Sequence, residues 1–171
     1  MWTANTTARI AGKHATFTLR TLMTADSTRV VFHLDRDPRL IAPICTAVHF
    51  EAARAGLDAG GCDELGEAFE DVCRQALLQL PDAGGGLEIT IDTFADRIEV
   101  SIHHRGQLIP AVGLETVTPP IASAGESGRL NGVELLERVD RVMFNSEDGV
   151  GRTTLVKFLQ RKRGTIKRKR K

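Results

Sequence analysis

The chain has 171 residues and a mass of 18.7 kDa, the length of one domain or of one domain with tails. Apolar residues at 42%, charged residues at 26% and only 6 prolines exclude disordered and collagen-like classes, and no run of 18 apolar residues is present to span a bilayer. The net charge of +1 conceals an uneven distribution: residues 161–171 hold 8 basic residues and no acid, which leaves 15 basic against 22 acidic in residues 1–160, net −7.

The first 12 residues read as a loose arm. They lack the apolar core of a secretory signal, so the expected location is the cytoplasm. Residues 14–23 alternate at Phe17 and Leu19 as an edge strand, and residues 1–28 together form an N-terminal arm. Residues 29–35, rich in β-branched and aromatic side chains, predict a strand that ends at Asp37-Pro38. From 39 to 55, Leu40, Ile41, Ile44, Ala47, Val48 and Ala52 recur at spacings of three and four, which predicts a helix stopped at Gly56. The Gly60-Gly61 pair separates it from a second helix with Asp63 as N-cap, with Leu65, Phe69, Val72, Ala76 and Leu80 on one face and Pro81 as the stop.

The turn Gly84-Gly85-Gly86 leads into strands at 87–94 and 97–104, joined by Ala95-Asp96 as a tight hairpin. Each strand alternates apolar with polar residues, so each has one buried face. Residues 105–129 show neither helical nor strand period, and a loop of that length in a compact domain is usually functional. A short helix at 130–139 and a second hairpin, 140–145 with 153–159 around Glu147-Asp148-Gly149, complete the body. The order predicts an α+β fold, a two-layer α/β sandwich whose mixed, mostly antiparallel sheet is covered on one face by three helices and wet on the other.

Three cysteines, Cys45, Cys62 and Cys73, share no CxxC spacing and read as buried free thiols. The acidic body repels phosphate backbones, so nucleic acid or an anionic surface would be met only by the basic tail, with strong salt dependence. A tail that is simply solvated, or that touches its own acidic body, is the other reading.

Over residues 29–160 this order of elements resembles the Bergerat-fold, histidine-kinase-like ATPase domains, and among them the stand-alone anti-sigma-factor serine/threonine kinases of bacteria. Three places carry the resemblance. On the second helix, Asp71-Val72-Cys73-Arg74-Gln75-Ala76 is similar to the family's Glu-x-x-x-Asn-Ala, which implies Asp71 as the base and Gln75 as the magnesium ligand. A carboxylate and an amide four residues apart share a helix face, and magnesium takes oxygen ligands in a strict octahedron. A register one residue earlier makes the pair Glu70 and Arg74, with Glu70 as the base, and an ordinary Glu70–Arg74 ion pair is the plain structural reading.

The strand ending His103-His104-Arg105-Gly106 is similar to the family strand whose terminal aspartate accepts from the adenine amino group, and His104 stands at that aspartate's position, with Gly106 following. A neutral imidazole offers one donor and one acceptor nitrogen, without the carboxylate's charge. His103 and His104 point to opposite strand faces, which argues against their chelating one metal. Before the third helix, Gly128-Arg129-Leu130-Asn131-Gly132 is similar to the family's Gly-x-Gly-Leu-Gly, which implies Gly128, Asn131 and Gly132 at the phosphates; Leu130 replaces the central glycine.

The resemblance thus implies ATP and magnesium as cofactors, a sigma factor or an anti-sigma antagonist as protein partner, and a homodimer. Because ligand, acceptor and glycine have each changed, the leading expectation is a kinase-like regulatory protein that acts by protein binding, with ATP binding weak or lost. The alternatives are an active serine kinase that phosphorylates the antagonist and a module that works through its basic tail.

Overall fold

A computed structural model describes residues 2–6, 17–23, 27–80, 85–105, 132–147 and 149–159. Seven strands form one sheet: β1 (Trp2–Thr6), β2 (Phe17–Met23), β3 (Thr28–Leu34), β4 (Leu87–Thr93), β5 (Arg97–Arg105), β6 (Arg141–Glu147) and β7 (Val150–Phe158). Their order is β1-β2-β3-β4-β5-β7-β6, and every described pairing is antiparallel. The helices are α1 (Ile41–Ala55), α2 (Ala59–Gln79) and α3 (Gly132–Arg138). The expected α+β sandwich is the fold observed, with an antiparallel rather than a mixed sheet.

The N-terminal segment departs from the expected loose arm. Trp2–Thr6 pairs with Phe17–Met23, so β1 holds the edge and β2 lies one strand inside it. Pairing across a long intervening segment has no local pattern, which is why composition alone reads this stretch as loose. A 3-10 turn, Pro38–Leu40, leads into α1; Asp37 caps it by accepting from the Arg39 N–H at 3.0 Å and Pro38 supplies a preset φ. Gly56 ends α1 at φ 105, a left-handed conformation that glycine adopts without a Cβ clash.

The second helix begins earlier than the glycine pair suggests. Asp58, not Asp63, is the N-cap, with its carboxylate accepting from the Gly61 N–H at 2.8 Å, and Gly60-Gly61 lie inside the first turn. One good cap offsets the roughly 1 kcal/mol that a glycine costs in a helix.

One face of the sheet receives the helices. Val30, Phe32 and Leu34 of β3, Leu87, Ile89 and Ile91 of β4, Ile98, Val100 and Ile102 of β5 and Leu155 of β7 pack against Ile44, Val48 and Ala52 of α1, Leu65, Phe69, Val72 and Ala76 of α2 and Leu135 of α3. Cys45, Cys62 and Cys73 are buried free thiols within this layer, as the sequence predicts; burial pushes Cys45 up to about 11.

The other face is polar but not wet at its centre, a correction to the expectation. Thr90, Asp92, Ser101 and Thr154 are all under 8% exposed. The Arg29 guanidinium lies over Asp92, at 2.7 and 3.0 Å, and Arg152 reaches the Ser101 hydroxyl at 3.1 Å while that hydroxyl meets Thr154 at 2.9 Å. Long charged side chains laid over small polar ones exclude water without an added layer.

Candidate functional site

Glu64, Glu67 and Asp71 recur at spacings of three and four along α2 and make a carboxylate stripe. Cations from the end of the chain meet it. Arg138, the last residue of α3, donates to Asp71 Oδ2 at 2.6 Å and stands 3.5 Å from Glu67, while Lys157 of β7 contacts Glu64 at 2.6 Å and the Arg138 carbonyl at 2.7 Å. The hydrogen bond to Asp71 raises the Arg138 guanidinium above its ordinary range. Both partners are partly exposed, 30% and 41%, so the pair is worth about 0–1 kcal/mol and its main effect is on position and charge.

Asp71 and Gln75 do share one helix, with Gln75 half-buried a turn beyond. Glu70 pairs with Arg74 at 2.7 Å across one turn, the plain ion pair. The arrangement does not fit magnesium. The carboxylate nearest the expected ligand, Asp71, already holds a guanidinium, and the Gln75 amide alone is a poor site for a hard cation that demands octahedral oxygens. Among the described residues no group of three histidine, cysteine, aspartate or glutamate side chains is placed to hold a metal ion.

The end of β5 is built differently. His104 lies on the helix side, between Leu87 of β4 and Gly151 of β7 in the cross-strand register, and is 2% exposed. Its ring covers Gly151 so closely that a Cβ there would stand 2.7–2.8 Å from ring atoms. Neither ring nitrogen has a hydrogen-bond partner among the described residues, and the same holds for the Thr153 hydroxyl. Thr153 faces Ile102, so it is the diagonal neighbour of His104 on the same face. Unpaired buried polar groups cost about 1–3 kcal/mol each. Burial, then the charge of His103, lowers the His104 pKa and keeps the ring neutral. This neutral, unpaired pair is the feature of the site with unused hydrogen-bonding capacity.

His103 points to the opposite face, as expected from strand alternation, in a row with Glu88 and His33. His33 Nδ1 stands 3.5 Å from Glu88, and burial together with Arg152 lowers the His103 pKa. A cavity of about 520 Å³ opens at this end of the sheet, lined by Gly85, Gly86, Glu88, His103, His104 and Arg105. A second, of about 680 Å³, lies at the other end beside Asp58, Glu64, Asp140 and Lys157, where the polar groups are already engaged: Glu64 with Lys157, Asp58 with the Gly61 N–H and Asp140 with the Phe158 N–H at 2.7 Å.

Of the third motif, Gly132 is the first residue of α3, while Gly128 and Asn131 lie outside the described residues, as does Gly106 of the second. The structure therefore joins Asp71 to Arg138 and places Thr153 diagonally from His104 on one face of the sheet. Sequence reasoning missed both newcomers. Arg138 carries no local signal, since its partner is 67 residues away. Thr153 does carry one: it stands two residues before Leu155 in a period-2 run, which assigns it to the buried face.

In comparisons with known proteins, no protein-family model and no curated protein matches the chain.

Proposed function

We propose that the chain is a kinase-like regulatory protein of the anti-sigma-factor type that works by binding a protein partner, with nucleotide binding weak and phosphoryl transfer lost. The observation that carries this reading is the 2.6 Å contact between Arg138 and Asp71. A carboxylate oxygen engaged by a guanidinium is not turned toward an incoming hydroxyl, and phosphoryl transfer depends on positioned groups around the metal and phosphates. A sheet covered by helices on one face is what the resemblance implies, although the sheet expected was mixed and every described pairing is antiparallel, so the two-layer scaffold supports the reading while the site argues against chemistry.

The partner proposed is a sigma factor or its anti-sigma antagonist, the chain acts in the cytoplasm, and a homodimer is its working form. Among the described residues no helix is long and apolar enough to cross a membrane. The test is to mix the full chain with sigma factors and antagonists from the same genome, with and without magnesium-ATP, and to follow complex formation and phosphate transfer together. A complex that ignores nucleotide, with no phosphate on the antagonist, is the expected result. Phosphate transfer lost in Asp71→Asn would overturn the reading in favour of an active serine kinase, which the unpaired His104 and Thr153 would then serve at the base.

A further inference from the structure

The last strand delivers the chain into a groove. Leu159, whose N–H donates to the Asp96 carbonyl at 2.8 Å, lines the 680 Å³ cavity at that end of the sheet together with Leu57, Gly60, Gly61, Glu64 and Asp140. The glycines leave the floor bare, so that even a Cβ at Gly60 would meet nothing closer than 3.9 Å, and the half-buried Leu57 supplies the apolar part. The rim is acidic. Asp58, Glu64 and Asp140 each spend one oxygen within the fold, on the Gly61 N–H, the Lys157 ammonium and the Phe158 N–H, and a carboxylate accepts at both of its oxygens. Glu67 and Asp71 continue the row along α2, so five carboxylates at this end stand against two cations, Lys157 and Arg138. Lys157 shows what the place takes: its side chain is only 14% exposed, with the ammonium between Glu64 and the Arg138 carbonyl.

Residues 160–171 follow Leu159 directly, and 161–171 hold 8 lysines and arginines, no acid and one large apolar residue, Ile166. The seven residues from Gln160 to Ile166 reach at most about 25 Å when extended, ample for a return to a groove that Leu159 itself lines. We propose that this basic segment folds back into the groove of its own chain, with Ile166 against Leu57 and the cations on either side of it, Lys162 and Lys167 among them, toward Glu64, Glu67 and Asp140. Segment and rim are complementary in charge, and covalent connection gives the encounter an effective concentration on the order of millimolar. Docking withholds the segment from phosphate backbones, which would otherwise attract it without regard to sequence. The groove thus acts as an internal competitor for polyanions. Neither nucleotide nor a second protein enters the proposal, so it stands apart from the partner-binding reading.

The experiment is zero-length coupling of lysines to carboxylates with a water-soluble carbodiimide, read by peptide mass spectrometry on the full chain after high-salt purification to strip polyanions. An equal mixture of nitrogen-15-labelled and unlabelled chains separates coupling within a chain from coupling between chains. Lys157 to Glu64, 2.6 Å apart, is the internal standard. At low salt, Lys162 and Lys167 are expected to couple to Glu64, Glu67 or Asp140 of the same chain. At about 0.5 M salt, where the Debye length shrinks to about 4 Å, those products should fall at least about fivefold while the standard changes by less than about twofold. Ile166→Asp, which leaves the folded body untouched, should lower them at least about threefold. Coupling only between labelled and unlabelled chains would make a second copy the occupant and overturn the proposal. So would products spread evenly over exposed carboxylates such as Asp96 and Glu137, products indifferent to salt or to Ile166→Asp, or no product from the segment beside a normal standard.

Discussion

On the helix side of the sheet one cross-strand row runs Phe32, Ile89, Ile102, Thr153; on the other side the adjacent row runs Val31, Thr90, Ser101, Thr154. Both rows are shielded at the centre, yet by opposite means. Hydrocarbon from α1 and α2 closes the first, and the second closes beneath ionic side chains such as Arg29 and Arg152. The first therefore draws on burial of apolar area, about 25 cal/mol per Å², while the second depends on pairing each buried polar group. His104 and Thr153 break this division, since they place unpaired polar atoms on the hydrocarbon side. A departure of that kind marks a site better than a cluster of charges on the polar side would.

The comparison can be broken at several strengths. Phe69→Ala in α2 removes a fully buried ring from the hydrocarbon side and should cost about 3–5 kcal/mol in denaturant unfolding; a loss below about 1 kcal/mol would mean that the helices pack loosely. Arg29→Ala leaves Asp92 buried and unpaired on the polar face, and about 2 kcal/mol is expected. If that variant is as stable as wild type, the arginine lid is incidental. Gly86→Ala would force a Cβ into the Leu34 carbonyl across β3 and β4, a backbone neighbour with no rotamer to yield, and about 1–3 kcal/mol should be lost.

Acid provides a gentler probe. The folded pKa values of His103 and His104 lie below 6.5, so between that value and the folded ones the unfolded chain binds more protons. Stability is thus fully present above about pH 6.5 and falls as the pH drops through it, and melting at pH 5.0 should come at least about 2 °C below that at pH 7.5. His103→Gln with His104→Asn should flatten the profile; an unchanged slope would show that other groups set it. Asp71→Asn is expected to change stability least, by under about 1 kcal/mol, because its pair with Arg138 is partly exposed.

Local pattern reaches some of this and not the rest. The β4–β5 hairpin was legible because alternation and the Ala95-Asp96 turn coincide within a few residues, and α1 because its apolar spacing ends at Gly56. The start of α2 was not, since a glycine pair reads as a break unless the Asp58 cap is recognised. Nor was β1, whose partner strand fixes it. The site divides the same way. Asp71, Gln75 and His104 could be named from their positions in short motifs, but the charge that neutralises Asp71 and the hydroxyl beside His104 depend on sheet register and helix docking, which only the folded chain supplies. The closed polar face was missed for a similar reason: alternation says which side a residue faces and nothing about whether a long arginine will lie across it.

The glycine pair inside the first turn of α2 has a kinetic side. Gly60 and Gly61 follow Asp58 at the point where the helix begins, and β7 and α3 meet the same helix through Glu64, Glu67 and Asp71 a turn or two further on. Amides before that clamp can exchange with solvent through local fraying, whereas those from Leu65 onward can exchange only when the sandwich opens more widely. In deuterated buffer the helix should therefore label from its N-terminal end as a separate cooperative unit, well before the hydrocarbon layer beneath it takes up any deuterium.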